Sequence, residues 1–409
     1  MEKKLPKDWK CVKLGDICYT TSGGTPSRNN LNYYNGDILW VKSGELAKGV
    51  ITDTEEKITQ EAINNSSAKI FPKGTLLIAL YGATIGKLAF LGKEAATNQA
   101  VCGIYKNDTI DSHYLYNFLF YKKPKLVQQG IGGAQPNISQ TILKQLQIPL
   151  PPKPTQQAIV SKIEELFSEL DKGIEQLKTA QQQLKTYRQA VLKWAFEGKL
   201  TNENVKDGEL PEGWKWRNLG DVSEVKRGKS KHRPRDDKQL FGGKYPFIQT
   251  GEVRAANGGI ITKYNQTYSE FGLQQSKLWS KGTLCLTIAA NIAETAFLGF
   301  DACFPDSVVG ITPDENIFSL KFINYFIQKL KKEIDAKASA TAQKNINVDF
   351  LENLQIPYCS VEEQNKIVQE IESRLSVADK MEESITQSLQ QAEALRQSIL
   401  KKAFEGRLL

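Results

Sequence analysis

Histidine is nearly absent from this 409-residue chain, which carries only His113 and His232. Its six cysteines, Cys11, Cys18, Cys102, Cys285, Cys303 and Cys359, contain no CxxC pair. The usual zinc-ligand spacings are therefore missing, no metal is expected, and the thiols read as buried or incidental. No apolar run approaches the roughly 20 residues that cross a bilayer. The stretch from Met1 to Lys10 is charged and has no apolar signal core, so a soluble, intracellular (cytoplasmic) protein is expected. A Gly-rich methyl-donor loop and an Asn/Asp-Pro-Pro-Tyr/Phe stretch are both lacking, which excludes a methyltransferase reading for this chain. Gly82 to Lys87 has a superficial likeness to a phosphate-binding loop. It has one residue too few between its glycines, and Leu88 stands where Ser or Thr would hold magnesium. Acid pairs such as Asp236-Asp237 and Glu362-Glu363 sit in no nuclease motif and read as solvated surface. No catalytic residue is assigned.

What the chain does have is length for two or more cores and a net charge of +8, a basic excess that favours a polyanionic partner. It also repeats itself once. Leu5-Pro6-Lys7-Asp8-Trp9 with Leu14-Gly15-Asp16 returns as Leu210-Pro211-Glu212-Gly213-Trp214 with Leu219-Gly220-Asp221. Ser43-Gly44-Glu45 pairs with Thr250-Gly251-Glu252, and Leu146-Gln147-Ile148-Pro149 with Leu354-Gln355-Ile356-Pro357. The closest match ends each half, Ala195-Phe196-Glu197-Gly198-Lys199-Leu200 against Ala403-Phe404-Glu405-Gly406-Arg407-Leu408. The offset drifts only from 205 to 208, so the halves should fold alike.

Each half changes texture partway. Short apolar, β-branched runs broken by Gly, Pro and Asn predict mixed α/β domains over 1–153 and 201–359. Stretches rich in Gln, Lys, Glu and Leu, the first without proline from Thr155 to Glu197, predict long helices over 154–200 and 360–409. Ile163, Leu170, Leu177, Leu184 and Val191 form one heptad position, and Leu166, Gly173, Ala180, Tyr187 and Trp194 the other. Ile371, Ala378, Ile385, Ala392 and Ile399 mark the second helix, with Met381 and Leu395 beside them. An antiparallel pair follows, because a whole globular domain separates the helices in the chain. Rods of about 65 Å would hold the two domains apart. The fold class is α+β: two homologous mixed α/β domains separated by two long coiled-coil helices, with an internal pseudo-twofold repeat.

For contact with a polyanion such as DNA the richest segment runs from Lys226 to Arg235, where Lys226, Arg227, Lys229, Lys231, Arg233 and Arg235 crowd together. Positive charge on a flexible segment suits phosphate contact, and arginine is the usual bidentate reader of guanine. A solvated basic loop is the plainer reading. In the first half the corresponding loop offers Ser22, Gly23, Gly24, Thr25, Ser27 and Arg28, small and polar enough for close approach to phosphate, or simply a turn. Gln135 and Asn137, like Gln343 and Asn345, carry amides that can pair with adenine or cap turns. Tyr81, Thr84 and Lys87 surround a Gly-containing turn after an apolar strand, a place to present a side chain to a groove or to pack Tyr81 in a core.

These residues together resemble the specificity subunits of type I restriction-modification enzymes, often called HsdS, over essentially the whole chain. The resemblance rests on the LPxxWxxxxLGD pattern at Leu5 to Asp16 and Leu210 to Asp221, Gly23-Gly-Thr-Pro-Ser27, and Tyr81 to Lys87. Gln135 to Ser139, Ile148 to Pro152 with Gln156-Gln157, and the Ala-Phe-x-Gly-x-Leu helix ends complete it. It implies a non-catalytic subunit whose target-recognition domains each read half of a split, asymmetric double-stranded DNA site while the helices fix the gap. Two modification subunits would bring S-adenosylmethionine and methylate adenine. Two restriction subunits would bring ATP- and Mg2+-dependent translocation and cleavage, and this chain would hold no cofactor. The second half departs from the pattern at Asn291-Ile292-Ala293-Glu294 and at Lys226 to Lys229, which points to a different half-site. A recognition subunit of a fused methylase-nuclease system, or a protein-binding coiled-coil scaffold, are the competing readings.

Overall fold

The computed structural model describes residues 5–130, 137–202, 204–206, 208–289, 291–339 and 346–409. Each repeat builds the same three sheets. In the first repeat, β1 (Lys10–Lys13) pairs antiparallel with β11 (Gln147–Leu150). Five strands, β2 (Thr20–Ser22), β10 (Val101–Ile104), β7 (Leu76–Ala79), β8 (Leu88–Leu91) and β4 (Gly49–Ile51), lie side by side in that order. Four more, β5 (Glu56–Ile58), β3 (Tyr34–Val41), β9 (Ala95–Thr97) and β6 (Ile70–Phe71), form the third sheet.

The second repeat copies this arrangement strand for strand. β12 (Lys215–Asn218) pairs with β22 (Gln355–Tyr358). The five-stranded sheet runs β13 (Ser223–Arg227), β21 (Val308–Pro313), β18 (Leu284–Thr287), β19 (Thr295–Leu298), β15 (Ile260–Ile261). The four-stranded sheet runs β16 (Gln266–Tyr268), β14 (Phe241–Phe247), β20 (Ala302–Cys303), β17 (Leu278–Trp279). Central strands such as Leu76–Ala79 and Leu284–Thr287 are buried on both faces, which is why they read as unbroken apolar runs.

Among the described residues, four helices longer than two turns complete the plan: α1 (Ser112–Gln128), α2 (Lys153–Phe196), α3 (Leu320–Ser339) and α4 (Val361–Phe404). Asp111 caps α1 through the amides of His113 and Tyr114. The two long helices are each 44 residues, as their texture predicts. The heptad stripe is the covered face of α2: Ile163 and Val191 are buried, and Leu170, Leu177 and Leu184 are half-buried. On α4, Ile371, Ala378, Ala392 and Ile399 are buried and Ile385 is half-buried. Met381, Leu395 and Trp194 depart from the expectation, at 52 %, 51 % and 37 % exposed. They fall off the narrow seam, where an apolar side chain can stay in water singly at little cost.

The compact units cut across chain order. One contains residues 1–178 and 386–409, the other residues 179–385. The first therefore takes in the last turns of α4, and the second the last turns of α2. Phe404 lies against Tyr114, Phe118 and Tyr121 of α1, with ring centroids 5.2, 5.2 and 5.7 Å away. Phe196 does the same on α3, 4.9 Å from Phe322 and 5.1 Å from Phe326. Each Ala-Phe-x-Gly motif thus plugs the core of the other repeat's domain. The glycine that follows has positive φ, 75° at Gly198 and 71° at Gly406, and a Cβ there would strike Pro211 or Pro6. This explains why the Leu-Pro-x-x-Trp and Ala-Phe-x-Gly motifs recur together.

The N-termini of the long helices are fixed by a buried glutamine in each repeat. The Gln156 amide donates to the carbonyls of Pro151 and Thr109 at 2.9 and 3.3 Å, and its oxygen accepts from the Asp111 amide at 2.7 Å. Gln364 repeats the set, donating to Cys359 and Ile317 and accepting from Ser319. Both donor hydrogens and the oxygen of each amide are engaged, which is what lets Gln156 sit at 1 % exposure. Among the described residues no helix is long and apolar enough to cross a membrane.

Candidate nucleic-acid interface

The loop after β2 is built from the inside. Gly23 donates to the Val101 carbonyl and Gly24 to that of Thr97, at 3.2 and 2.9 Å. A Cβ on Gly23 would fall 2.0 Å from the Thr97 oxygen, and one on Gly24 2.3 Å from Ser67. The space these glycines leave is filled by the protein's own backbone, so their small size serves packing here. The Ser22 hydroxyl accepts from Gln140 at 2.8 Å, and Thr25 bonds Gln99. Ser27 is exposed.

Arg28 folds back over the four-stranded sheet while its side chain stays 54 % exposed. Its guanidinium lies over the rings of Tyr34 and Trp40, 4.6 and 5.1 Å from their centroids, and donates to Glu56 at 2.6 Å. Lys42 joins from the other side, 3.0 Å from both Glu55 and Glu56. The bonds from Arg28 and Lys42 hold the Glu56 carboxyl below its usual range, and the Arg28 guanidinium is raised in turn. Nothing in the sequence links Glu56 to Arg28, so this cluster was not legible there. The Ser-Gly-Glu and Thr-Gly-Glu repeats prove to be helix-start caps: Glu45 accepts from the Lys42 amide at 2.8 Å, and Glu252 from that of Gln249 at 3.1 Å.

Beyond β7 the chain turns at Gly82–Thr84, with the Thr84 hydroxyl donating to the Tyr81 carbonyl at 2.7 Å. Tyr81 is 43 % exposed, which decides against the core reading, and its backbone bridges that of exposed Asn137. Lys87 is half-buried at the far side of the turn. Tyr81, Thr84 and Asn137 are thus brought together. Gln135, Gln343 and Asn345 lie outside the described residues.

In the second repeat the basic segment leaves β13 at the same place. It is tied down at several points, where flexibility was expected. Gly228 donates to the Val308 carbonyl at 2.9 Å, Lys231 to that of Gln275 at 3.2 Å, and the Ser276 hydroxyl to that of Lys229 at 2.8 Å. His232 meets Asp237 at 2.7 Å. Lys226 pairs with Glu224, and Arg227 reaches the Ile346 carbonyl. Arg233 folds back on the carbonyls of Ser230 and His232, while Arg235 bonds Asp306 at 2.9 Å. Lys229 and Lys231 are exposed, and their ammonium groups have no partner among the described residues.

Five of the six cysteines are buried, and Cys11 is exposed. Burial pushes the Cys102 and Cys359 thiols up to about 12 and raises those of Cys18, Cys285 and Cys303. Among the described residues no group of His, Cys, Asp and Glu is placed to hold a metal ion.

Comparison with known proteins accounts for the duplicated architecture. The family model of the type I restriction modification DNA specificity domain matches twice, over residues 6–179 and 211–392. The MjaIX specificity subunit of Methanocaldococcus jannaschii is 31 % identical over 67 % of this chain and 64 % of its own length. The EcoBI specificity subunit of Escherichia coli is 27 % identical over 98 % of this chain and 86 % of its own. Among solved structures, the HsdS subunit of Thermoanaerobacter tengcongensis has a TM-score of 0.66 at 21 % identity, covering 100 % of this chain and 99 % of that one. A chain from a study of complex assembly in a type I R-M system reaches 0.79 at 21 % identity, covering 99 % and 100 %. Two matches in tandem, falling on two domains with the same strand orders, place the chain in the type I restriction modification DNA specificity family.

Proposed function

We propose that this chain is the DNA sequence-specificity subunit of a type I restriction-modification complex, each globular domain reading one half of a bipartite, asymmetric site. One observation carries the reading. Two copies of one scaffold present different loops at the same place, Ser22 to Arg28 after β2 and Lys226 to Arg235 after β13. Identical scaffolds with unlike loops suit two unlike half-sites, since base contacts specify while the framework positions. Exposed Lys229 and Lys231 serve phosphate, and Tyr81, Thr84 and Asn137 form the presenting corner of the first domain.

The chain itself is non-catalytic. Methyl transfer to adenine with S-adenosylmethionine belongs to two modification subunits, and ATP- and Mg2+-dependent translocation and cleavage to two restriction subunits. The long helices dock those partners and set the unread gap. A genome-wide map of methylated adenines, in a prokaryotic host with and without this chain beside its modification subunit, tests the reading. A split motif that appears only with the chain is expected. An intact complex with no motif would sink it and favour a protein-binding scaffold.

A further inference from the structure

The two repeats treat one position in opposite ways. In the first, Arg28 stands two residues before Asn30, the cap of a single 3-10 turn at Leu31–Tyr33, and closes over Tyr34 and Trp40 onto Glu56. In the second, Arg235 stands two residues before Asp237, the cap of the matching turn at Lys238–Leu240. Strand register identifies the other counterparts. Trp40 is paired with Glu56, and Phe247 with Gln266, so the carboxylate that holds Arg28 is an amide here. Leu80 donates to the Ala100 carbonyl and Ile288 to that of Ser307, which sets Gln99 against Asp306. With its acid gone from one side and a new one on the other, Arg235 leaves the rings for Asp306 at 2.9 Å. A cavity of about 730 Å³ opens here, at the place where Arg28 lies over its rings in the first repeat.

Its walls say what would enter. Half-buried Phe241 and the buried, mutually stacked Phe247 and Tyr268 line the apolar side, and Gln249 donates to Gln266 at 2.7 Å on the polar side. That bond leaves one amide oxygen and one amide NH2 for a ligand. The first repeat shows the shape that fits: a planar group lying on the rings and hydrogen-bonding at its edge. Changing Glu56 to Gln266 removes the demand for a cation and suits a neutral plane with both donors and acceptors. Lys238 and Arg235 edge the opening, and exposed Lys229 and Lys231 lie on the same segment, as phosphates attached to that plane would need. The geometry points to a nucleobase pocket in the second domain, which takes an unstacked base of the bound DNA. This rests on the DNA-reading function proposed above.

The test uses the full chain assembled with its modification subunits and a duplex bearing its mapped motif. 2-Aminopurine replaces each base of the second half-site in turn. The variant Q266E/D306Q rebuilds the first repeat's chemistry, so that Arg235 closes the pocket, and Q249L removes half of the amide edge without refilling it. A change in fluorescence at one position is expected, lost in Q266E/D306Q, with affinity falling about tenfold in both variants. The melting temperature should be unchanged. Saturation transfer to dAMP, dGMP, dCMP or dTMP that the double variant abolishes would assign the same pocket to a free nucleotide. Tight binding with no variant-sensitive position and no such transfer overturns the pocket and leaves DNA reading standing. Loss of motif-dependent binding in the wild-type complex overturns both.

Discussion

Arg188 of α2 donates to the Asp379 carboxylate of α4 at 2.6 Å, and Arg396 of α4 bonds Asp171 of α2. The two pairs are the same pair with the repeats exchanged, one in each compact unit. Their order along the helices is opposite, which is the antiparallel sense. Both arginines have further partners: Arg188 bonds Glu382 at 3.0 Å, and Arg396 lies 4.6 Å over the Phe167 ring. Removing either arginine should cost a similar, modest amount, about 0.5–1 kcal/mol for partly exposed pairs. Reversing a pair, R188D with D379R, should recover most of the loss. Urea denaturation of the four variants of each cycle measures this, and unequal coupling in the two cycles would show that the helix pairing is not symmetric.

Phe404 and Phe196 carry more. Phe404→Ala removes a ring packed against three aromatic neighbours and should destabilise its unit by about 3–5 kcal/mol. The damage should fall on the first globular domain, far away in sequence, and Phe196→Ala should damage the second. Hydrogen exchange resolved by segment reads this directly. Protection lost around α1 in F404A, with α3 unaffected, is the expected pattern.

Gln156→Leu and Gln364→Leu keep size but strand one amide donor and two carbonyl acceptors each. A loss of about 2–4 kcal/mol is expected, because buried polar groups left unpaired cost more than the bond itself returned. Calorimetry should show similar losses for both. A neutral result would mean that water replaces the amide.

Lys229 and Lys231 should act on DNA without regard to sequence. Replacing both by Ala should weaken binding to motif and non-motif duplexes alike, and lower the slope of log K against log salt by about 0.9 for each phosphate no longer neutralised. A change in the methylated motif would instead assign them to base reading.

Acid should loosen the first domain through Glu56. Its carboxyl is held below the usual range by Arg28 first and Lys42 second. The stabilisation is complete above the ordinary carboxylate value, about 4.3, and drains away as pH falls through the lowered one. Glu56→Gln should therefore lower the melting temperature at neutral pH by a degree or two, as befits a half-exposed cluster, and make no difference once wild-type Glu56 is protonated. An E56Q deficit that persists in acid would assign its effect to packing.

The repeat, the sheet-rich domains and the long helices were legible because each is a periodicity or a texture, and both survive without knowledge of three-dimensional contacts. The stripe through Ile163, Leu170, Leu177 and Leu184 is an example. The destination of a helix end is not periodic, so nothing around Phe404 announced that its ring belongs with Tyr114. The glycine loop misled for a related reason. Gly23 and Gly24 do mark a close approach, but the approaching backbone is that of Thr97 and Ser67. Arg28 and Arg235 occupy like places in their loops. Their opposite directions depend on Glu56 and Asp306, acids that only folding brings near.

The exchange of helix ends also bears on synthesis. The unit holding the first domain needs residues 386–409, whereas every residue of the other lies between 179 and 385. In order of synthesis the unit that begins first is therefore the last to be complete. The later unit has all its parts in a chain that reaches residue 385, while the socket of Tyr114, Phe118 and Tyr121 on α1 still lacks the Phe404 ring that covers it.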